Sequence, residues 1–215
     1  MFNDIRLKDL WNPAMNEVWN EIVPFVIGKA NRGDMPPCRY NELFLMGGRL
    51  SGKSYFAAVV TFLTLESDRN KNAVIIRKVA SSIGKSCWEQ MKRVRDRLGY
   101  FHWKTNDTKM FMRNEKTGQK IYFVGLDDEE KVRSITVEKG YLSIAWFEEA
   151  KQFSNMEEID QAVASILRGG ADGDDADDSD SEFGDMEYMT ILTYNPPNIP
   201  QYIPNSPQFN MKPNM

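Results

Sequence analysis

Short apolar runs alternate along this chain with longer amphipathic segments. Each run is five to seven residues long and bounded by polar or turn-forming residues, as buried strands of a parallel sheet are; the runs cover residues 42–46, 73–77, 141–147 and 188–193. The longer segments predict helices over residues 55–66, 81–98 and 157–167. Residues 110–124 alternate around Asn114 and Gly118, which predicts a β-hairpin. This order predicts an α/β fold with a mainly parallel central sheet flanked by helices.

The two ends of the chain have different patterns. Residues 1–30 carry apolar positions at helical spacing that Pro13 and Pro24 interrupt, which predicts one or two short helices. We therefore expect a helical N-terminal extension over residues 1–40 and a core over residues 41–198. Residues 199–215 are rich in proline and show no periodicity, so we expect an extended C-terminal tail.

Charge is distributed unevenly. Nine acidic residues lie close together near the C-terminus, and subtracting their charges changes the net charge from −4 to +5; they are Asp172, Asp174, Asp175, Asp177, Asp178, Asp180, Glu182, Asp185 and Glu187. This composition cannot bury apolar area, so residues 169–187 are predicted to form a mobile surface loop. The mildly basic remainder is compatible with a partner that carries phosphate groups.

Other features of the composition exclude several classes of protein. No apolar run is long enough to cross a membrane, and the N-terminus has no signal-peptide pattern. Cys38 and Cys87 are not paired in a C-x-x-C motif, and His102 is the only histidine. A structural zinc site or a disulfide framework is therefore not expected, and a reducing cytoplasm suits the chain.

Residues 47–54 match the phosphate-binding loop pattern G-x-x-x-x-G-K-[ST]; they are Gly47, Gly48, Arg49, Leu50, Ser51, Gly52, Lys53 and Ser54. The loop lies between a predicted strand and a predicted helix, which is the context that the motif requires. Backbone N–H groups at the start of the helix would bind the phosphates of ATP. Lys53 would reach the outer phosphates, and the Ser54 hydroxyl would bind Mg²⁺.

A second acidic site ends the strand over residues 141–147. Hydrolysis of a triphosphate requires a carboxylate that holds the metal and a group that orients the attacking water. We assign Glu148 to the metal and Glu149 to the water. Adjacent side chains of a strand point in opposite directions, so both roles require the chain to turn at this point.

The order of these segments resembles the ATPase domain of the large terminase subunit of tailed bacteriophages. The resemblance extends from about residue 40 to residue 198, and the matching segments are residues 47–54, 74–98, 123–134, 146–150 and 193–197. It implies a phosphate-loop NTPase fold of the type with a catalytic glutamate (ASCE). The implied function is ATP hydrolysis that moves double-stranded DNA into procapsids, in the cytoplasm of the host cell.

The resemblance also implies residue roles and partners. Arg49 would lie close to the γ-phosphate as an arginine finger or a nucleotide sensor, and Arg133 would act on the nucleotide of a neighbouring subunit. Asn195, in the segment that resembles the coupling motif of the family, would sense the γ-phosphate. The implied partners are the portal protein, the small terminase subunit and further copies of this chain in a ring, whereas the isolated chain is expected to be monomeric.

The chain departs from the family pattern at two points: Leu50 replaces a more usual glycine, and the acidic segment at residues 171–187 resembles an insertion. Glu148 departs from the common form of the acidic motif, which has aspartate, but Glu148 and Glu149 resemble the Glu-Glu form of one terminase branch. The chain also ends before the nuclease domain of the family, so nuclease activity is not expected. A small-molecule kinase and a nucleotide-binding assembly protein without turnover remain as alternatives.

Overall fold

The computed structural model describes residues 9–84, 86–127, 132, 135–169, 186–196 and 208–211. Eight strands form one sheet in the order β3-β4-β5-β2-β6-β7-β1-β8. The strands are β1 (Tyr40–Met46), β2 (Lys71–Arg77), β3 (Trp103–Asn106), β4 (Phe111–Asn114), β5 (Lys120–Gly125), β6 (Tyr141–Glu148), β7 (Met189–Tyr194) and β8 (Gln208–Met211). The helices are α1 (Asn16–Ile27), α2 (Lys53–Ser67), α3 (Cys87–Leu98) and α4 (Met156–Gly169).

The five central strands, β5-β2-β6-β7-β1, are parallel. They include all four predicted apolar strands. A central strand is covered on both faces of the sheet, which explains why its residues are almost all apolar. β7 lies between β1 and β6, so a strand separates the phosphate loop from the two glutamates. The predicted mainly parallel α/β architecture is confirmed.

Alternate residues of the strands enter two apolar cores, one on each face of the sheet. Leu43, Ile75 and Trp146 lie on the face covered by α1, α2 and α3. Phe44 and Phe147 lie on the other face with residues of α4. Within each strand, residues that are two positions apart therefore lie on the same face of the sheet.

Two helices differ from the sequence prediction. The helix predicted over residues 81–98 begins only at Cys87, because Ala80–Ser82 form a 3₁₀ turn and Gly84 lies between the turn and the helix. Pro24 was predicted to break the N-terminal helix but lies inside α1. A residue outside the helix stabilises the last turn of α1, because the Lys71 Nζ donates a hydrogen bond to the Phe25 carbonyl at 3.1 Å.

Near the C-terminus, Glu187 was wrongly assigned to the mobile acidic loop. It is buried, and its carboxylate lies 2.6 Å from the Arg32 Nη1 and 3.9 Å from the Lys71 Nζ. The ion pairs with these two distant residues compensate the cost of burying its charge. The other eight acids of that loop lie outside the described residues.

The sheet also has strands at its two edges that the sequence analysis did not find. β3 extends the predicted hairpin by pairing antiparallel with β4. β8, in the predicted C-terminal tail, pairs antiparallel with β1. Among the described residues, no helix combines the length and the apolar character needed to cross a membrane.

Candidate active site

The phosphate loop is fixed at both ends by its glycines. The Gly47 N–H donates to the carbonyl of Tyr194, at the end of β7, over 3.1 Å. A Cβ at position 47 would lie 2.4 Å from the Ser51 Oγ, so a larger residue does not fit without a shift of the loop. Gly52 has a φ of +84°, which glycine adopts without strain, and α2 begins at the next residue. The first N–H groups of α2 have no acceptor within the helix, so they are suited to donate to a phosphate.

At the tip of the loop, Gly48, Arg49 and Leu50 are exposed. Leu50 has a φ of +65°, and its relative accessibility of 103% shows that its side chain is fully in solvent. Glycine adopts this left-handed conformation without strain, whereas leucine has a steric cost there. A glycine at this position would avoid that cost.

Lys53, the first residue of α2, already has partners in this structure. Its Nζ donates to the Asn195 Oδ1 at 2.9 Å and to the Gly48 carbonyl at 3.4 Å. The side chain is only 8% exposed. Burial lowers the pKa of Lys53, and the negative charges of Glu149 and Glu148 counteract part of this effect. The ammonium is therefore poorly solvated, and an anion in the loop would compete with Asn195 for it.

Ser54 connects the phosphate loop to the acidic strand. Its Oγ donates to the Glu148 Oε1 at 3.0 Å, while the Thr193 hydroxyl donates to the Glu148 Oε2. Glu148 is 7% exposed, and burial raises the pKa of its carboxyl above its ordinary value, although these two hydrogen bonds oppose the shift. The two oxygens of the carboxylate thus have different partners.

Glu149 follows β6 in a left-handed conformation with a φ of 56° and a ψ of 49°. Its carbonyl accepts a hydrogen bond from the Gln152 N–H at 2.9 Å, so the chain turns immediately after the strand. The turn that a division of roles between the two glutamates requires is therefore present. Glu149 is only partly buried, so its carboxylate has access to solvent.

The chemistry of the donors at this position suits a magnesium ion. Mg²⁺ prefers hard oxygen ligands and usually keeps several water molecules. The Ser54 hydroxyl and the Glu148 carboxylate supply such oxygens 3.0 Å apart beside the phosphate loop. Ser54 and Glu148 are accordingly the residues that would hold this ion.

Four of the residues singled out in the sequence meet at one edge of the sheet: Lys53, Ser54, Glu148 and Asn195. Arg49 lies in the same loop as Lys53, but its side chain is in solvent. Arg133 lies outside the described residues. Thr193 was not among the predicted site residues, because its place beside Glu148 depends on the register of β6 and β7.

Comparisons with known proteins point to one family. A model of the phage terminase large-subunit family matches residues 40–190. The large terminase subunit of Bacillus phage SPP1 is 27% identical over 194 residues, which cover 90% of this chain and 40% of that protein. The structure is similar in fold to the large terminase of a thermophilic bacteriophage, with 15% identity and a TM-score of 0.55 over 80% of this chain and 37% of that chain.

The chain spans less than half the length of both of these relatives. The likeness in fold agrees with the phosphate-loop NTPase architecture predicted from the sequence. Because the family model covers residues 40–190, most of the sequence, this chain belongs to the phage terminase large-subunit family.

Proposed function

We propose that this chain is the ATPase part of a terminase large subunit and hydrolyses ATP with Mg²⁺ to move double-stranded viral DNA into procapsids. One observation carries the proposal: the Ser54 Oγ at the end of the phosphate loop lies 3.0 Å from the Glu148 Oε1 at the end of a separate strand. A phosphate cradle and a carboxylate in contact form a site for a metal–nucleotide complex. Membership of the terminase family supports the coupling to DNA packaging.

ATP binding would replace contacts within the protein. The loop N–H groups of residues 47–54 would donate to the phosphate oxygens, and the Lys53 ammonium would exchange the Asn195 Oδ1 for a phosphate. Arg49, now in solvent, would fold over the γ-phosphate, where a guanidinium matches two phosphate oxygens at once. Asn195, released from Lys53, would then respond to the γ-phosphate.

For hydrolysis, Glu149 would orient the attacking water and accept its proton. The turn after β6 supports this division of roles, in which the two carboxylates would act on different partners. When bound by Ser54 and Glu148, Mg²⁺ would neutralise charge on the phosphates. Lys53 and Arg49 would stabilise the remaining negative charge of the transition state.

Membership of the family supports a proposal for the wider assembly. We expect the chain to act with the portal protein and the small terminase subunit in the host cytoplasm, as a ring of copies on the procapsid. Arg133 would complete the site of the neighbouring copy. The isolated chain would then be a monomer that hydrolyses ATP slowly.

The test compares Glu149→Gln with the wild-type chain. ATP turnover is measured alone, with linear duplex DNA, and with procapsids that carry portals. We expect Glu149→Gln to abolish turnover while nucleotide affinity stays within about twofold, because the amide keeps the size but cannot accept the proton. Glu157→Gln, at an exposed site on α4, makes the same chemical change and should leave turnover intact.

The two alternatives give different results in this test. A nucleotide-binding assembly protein would bind ATP but show no turnover under any of the three conditions. A small-molecule kinase would transfer phosphate to a nucleoside or another acceptor and would not respond to DNA or procapsids. Turnover that survives in Glu149→Gln would refute the role of this residue.

A further inference from the structure

We infer that Thr193, supported by Trp146, is a positioning residue that turns the Glu148 carboxylate towards Ser54. We call these three side chains, Trp146, Thr193 and Glu148, the relay. The inference rests on the proposed function, because it assigns Glu148 to the metal. It adds a residue that would act through Glu148 rather than by binding the nucleotide itself.

The register of the sheet brings the relay together. Glu148 and Thr193 are directly paired across β6 and β7, so their side chains lie on the same face. Trp146 precedes Glu148 by two residues and lies on that face as well. Trp146 and Thr193 are fully buried, which keeps water from replacing their hydrogen bonds.

Chemistry fixes the direction of the hydrogen bonds in the relay. The Trp146 Nε1, 2.9 Å from the Thr193 Oγ1, can only donate, so the threonine oxygen accepts this bond. The threonine has one hydroxyl proton, and it points to the Glu148 Oε2; the Phe147 carbonyl, 3.5 Å away, is the weaker acceptor. Because the indole occupies one acceptor position of the hydroxyl, the Thr193 proton stays directed at the carboxylate.

The consequence for the site concerns the other oxygen of Glu148. With the Oε2 held by Thr193, the Oε1 is directed at the Ser54 Oγ, 3.0 Å away, on the side of the phosphate loop. A buried carboxylate without Thr193 could rotate and present either oxygen in several directions. The relay therefore prepares one oxygen for the metal before nucleotide binds, which reduces the ordering that binding must supply.

The test measures how strongly Mg²⁺ increases affinity for a non-hydrolysable ATP analogue. Calorimetry on the full chain gives the dissociation constant with Mg²⁺ and with EDTA, and their ratio is the metal-dependent gain. We expect Thr193→Val to reduce this gain about tenfold, which is the scale of a hydrogen bond to a charged group. Affinity in EDTA should stay within about twofold, because the phosphate loop is unchanged.

Three further variants separate the hydroxyl from packing. Thr193→Ser keeps the hydroxyl and should retain most of the gain. Thr190→Val makes the same change on the same strand, away from Glu148, and should behave as wild type. Trp146→Phe should reduce the gain in the same direction, and the double variant with Thr193→Val should be no worse than Thr193→Val alone, because the relay is already broken.

The outcomes distinguish this inference from the proposed function. If the wild-type chain gains no affinity from Mg²⁺, the metal role of Glu148 fails, and both fall. If the wild type gains affinity and Thr193→Val gains equally, only the relay is refuted. A loss in Thr193→Ser as large as in Thr193→Val would show that the methyl group matters rather than the hydroxyl, and would also overturn the relay. Thermal unfolding of each variant verifies that the chain remains folded.

Discussion

The contact between Lys53 and Asn195 allows a quantitative test of the nucleotide-free site. In Asn195→Ala, the Lys53 ammonium loses its 2.9 Å acceptor and keeps, among the described residues, the Gly48 carbonyl at 3.4 Å. The side chain is 8% exposed, so water replaces the lost bond incompletely. A hydrogen bond to a charged group contributes about 1.5–3 kcal/mol, and the remaining carbonyl reduces the expected loss of unfolding free energy to about 1–2 kcal/mol.

The same variant should bind nucleotide no more weakly than wild type. If a phosphate takes the ammonium from Asn195, the loss of the amide affects mainly the free chain, and the bound states of the two proteins become similar. The free-energy difference of about 1–2 kcal/mol then appears as tighter binding of ADP, by about 5- to 30-fold. ADP is the right ligand because it lacks the γ-phosphate that Asn195 is proposed to sense.

Two measurements on the full chain check this reasoning: urea unfolding without ligand, and calorimetric titration with ADP and Mg²⁺. Asn195→Asp is the matched variant, since it keeps the acceptor for Lys53 and adds a charge that repels phosphate. It should preserve the unfolding free energy and weaken ADP binding about tenfold or more. An Asn195→Ala variant that unfolds like wild type, or that binds ADP more weakly, would contradict this prediction.

Two other substitutions test local features of the site. Leu50→Gly should increase the unfolding free energy by about 0.5–1 kcal/mol in urea titrations, because it removes left-handed strain and the exposed leucine side chain contributes no buried area. The control, Leu50→Ala, should change the unfolding free energy by less than about 0.5 kcal/mol. Glu148→Gln should become more stable relative to wild type as pH rises above 4.5, measured without nucleotide or metal. Burial raises the pKa of Glu148 in the folded chain, so ionisation of this group destabilises the wild-type fold as pH rises from the ordinary value of 4.5 through the raised one. A difference in unfolding free energy between the two proteins that stays constant across pH would contradict this.

The sequence predicted those parts of the fold that depend on local pattern. The apolar runs identified β1, β2, β6 and β7, and the loop motif with the paired acids indicated that Ser54 and Glu148 would meet, since parallel strands end at a common edge. Other features depend on partners distant in the chain. In the sequence, Glu187 cannot be distinguished from the other eight acids, because its ion-pair partners Arg32 and Lys71 lie far away along the chain. β8 pairs with β1 through its backbone, which leaves no pattern in the sequence.

The role of Thr193 could not be predicted for a similar reason. Its hydroxyl is useful only because the register of β6 and β7 places it opposite Glu148 and behind Trp146. A change of register by one residue would turn Thr193 to the opposite face of the sheet, although the apolar character of both strands would be the same. The amino-acid sequence gives the functional groups of this site, but the pairing of β6 with β7 decides which of these groups contact one another.

Two residues near the end of β7, Thr193 within the strand and Asn195 just after it, contact the two charged parts of the site. Thr193 donates to Glu148, and Asn195, two residues further along the same strand direction, accepts from Lys53. Two residues of an extended chain span about 7 Å, so a small movement of this segment would change both contacts together. A nucleotide that takes Lys53 from Asn195 removes one of these two attachments and leaves the other. In the proposed function, the segment that leads from β7 into Pro196 would therefore convert phosphate binding into movement.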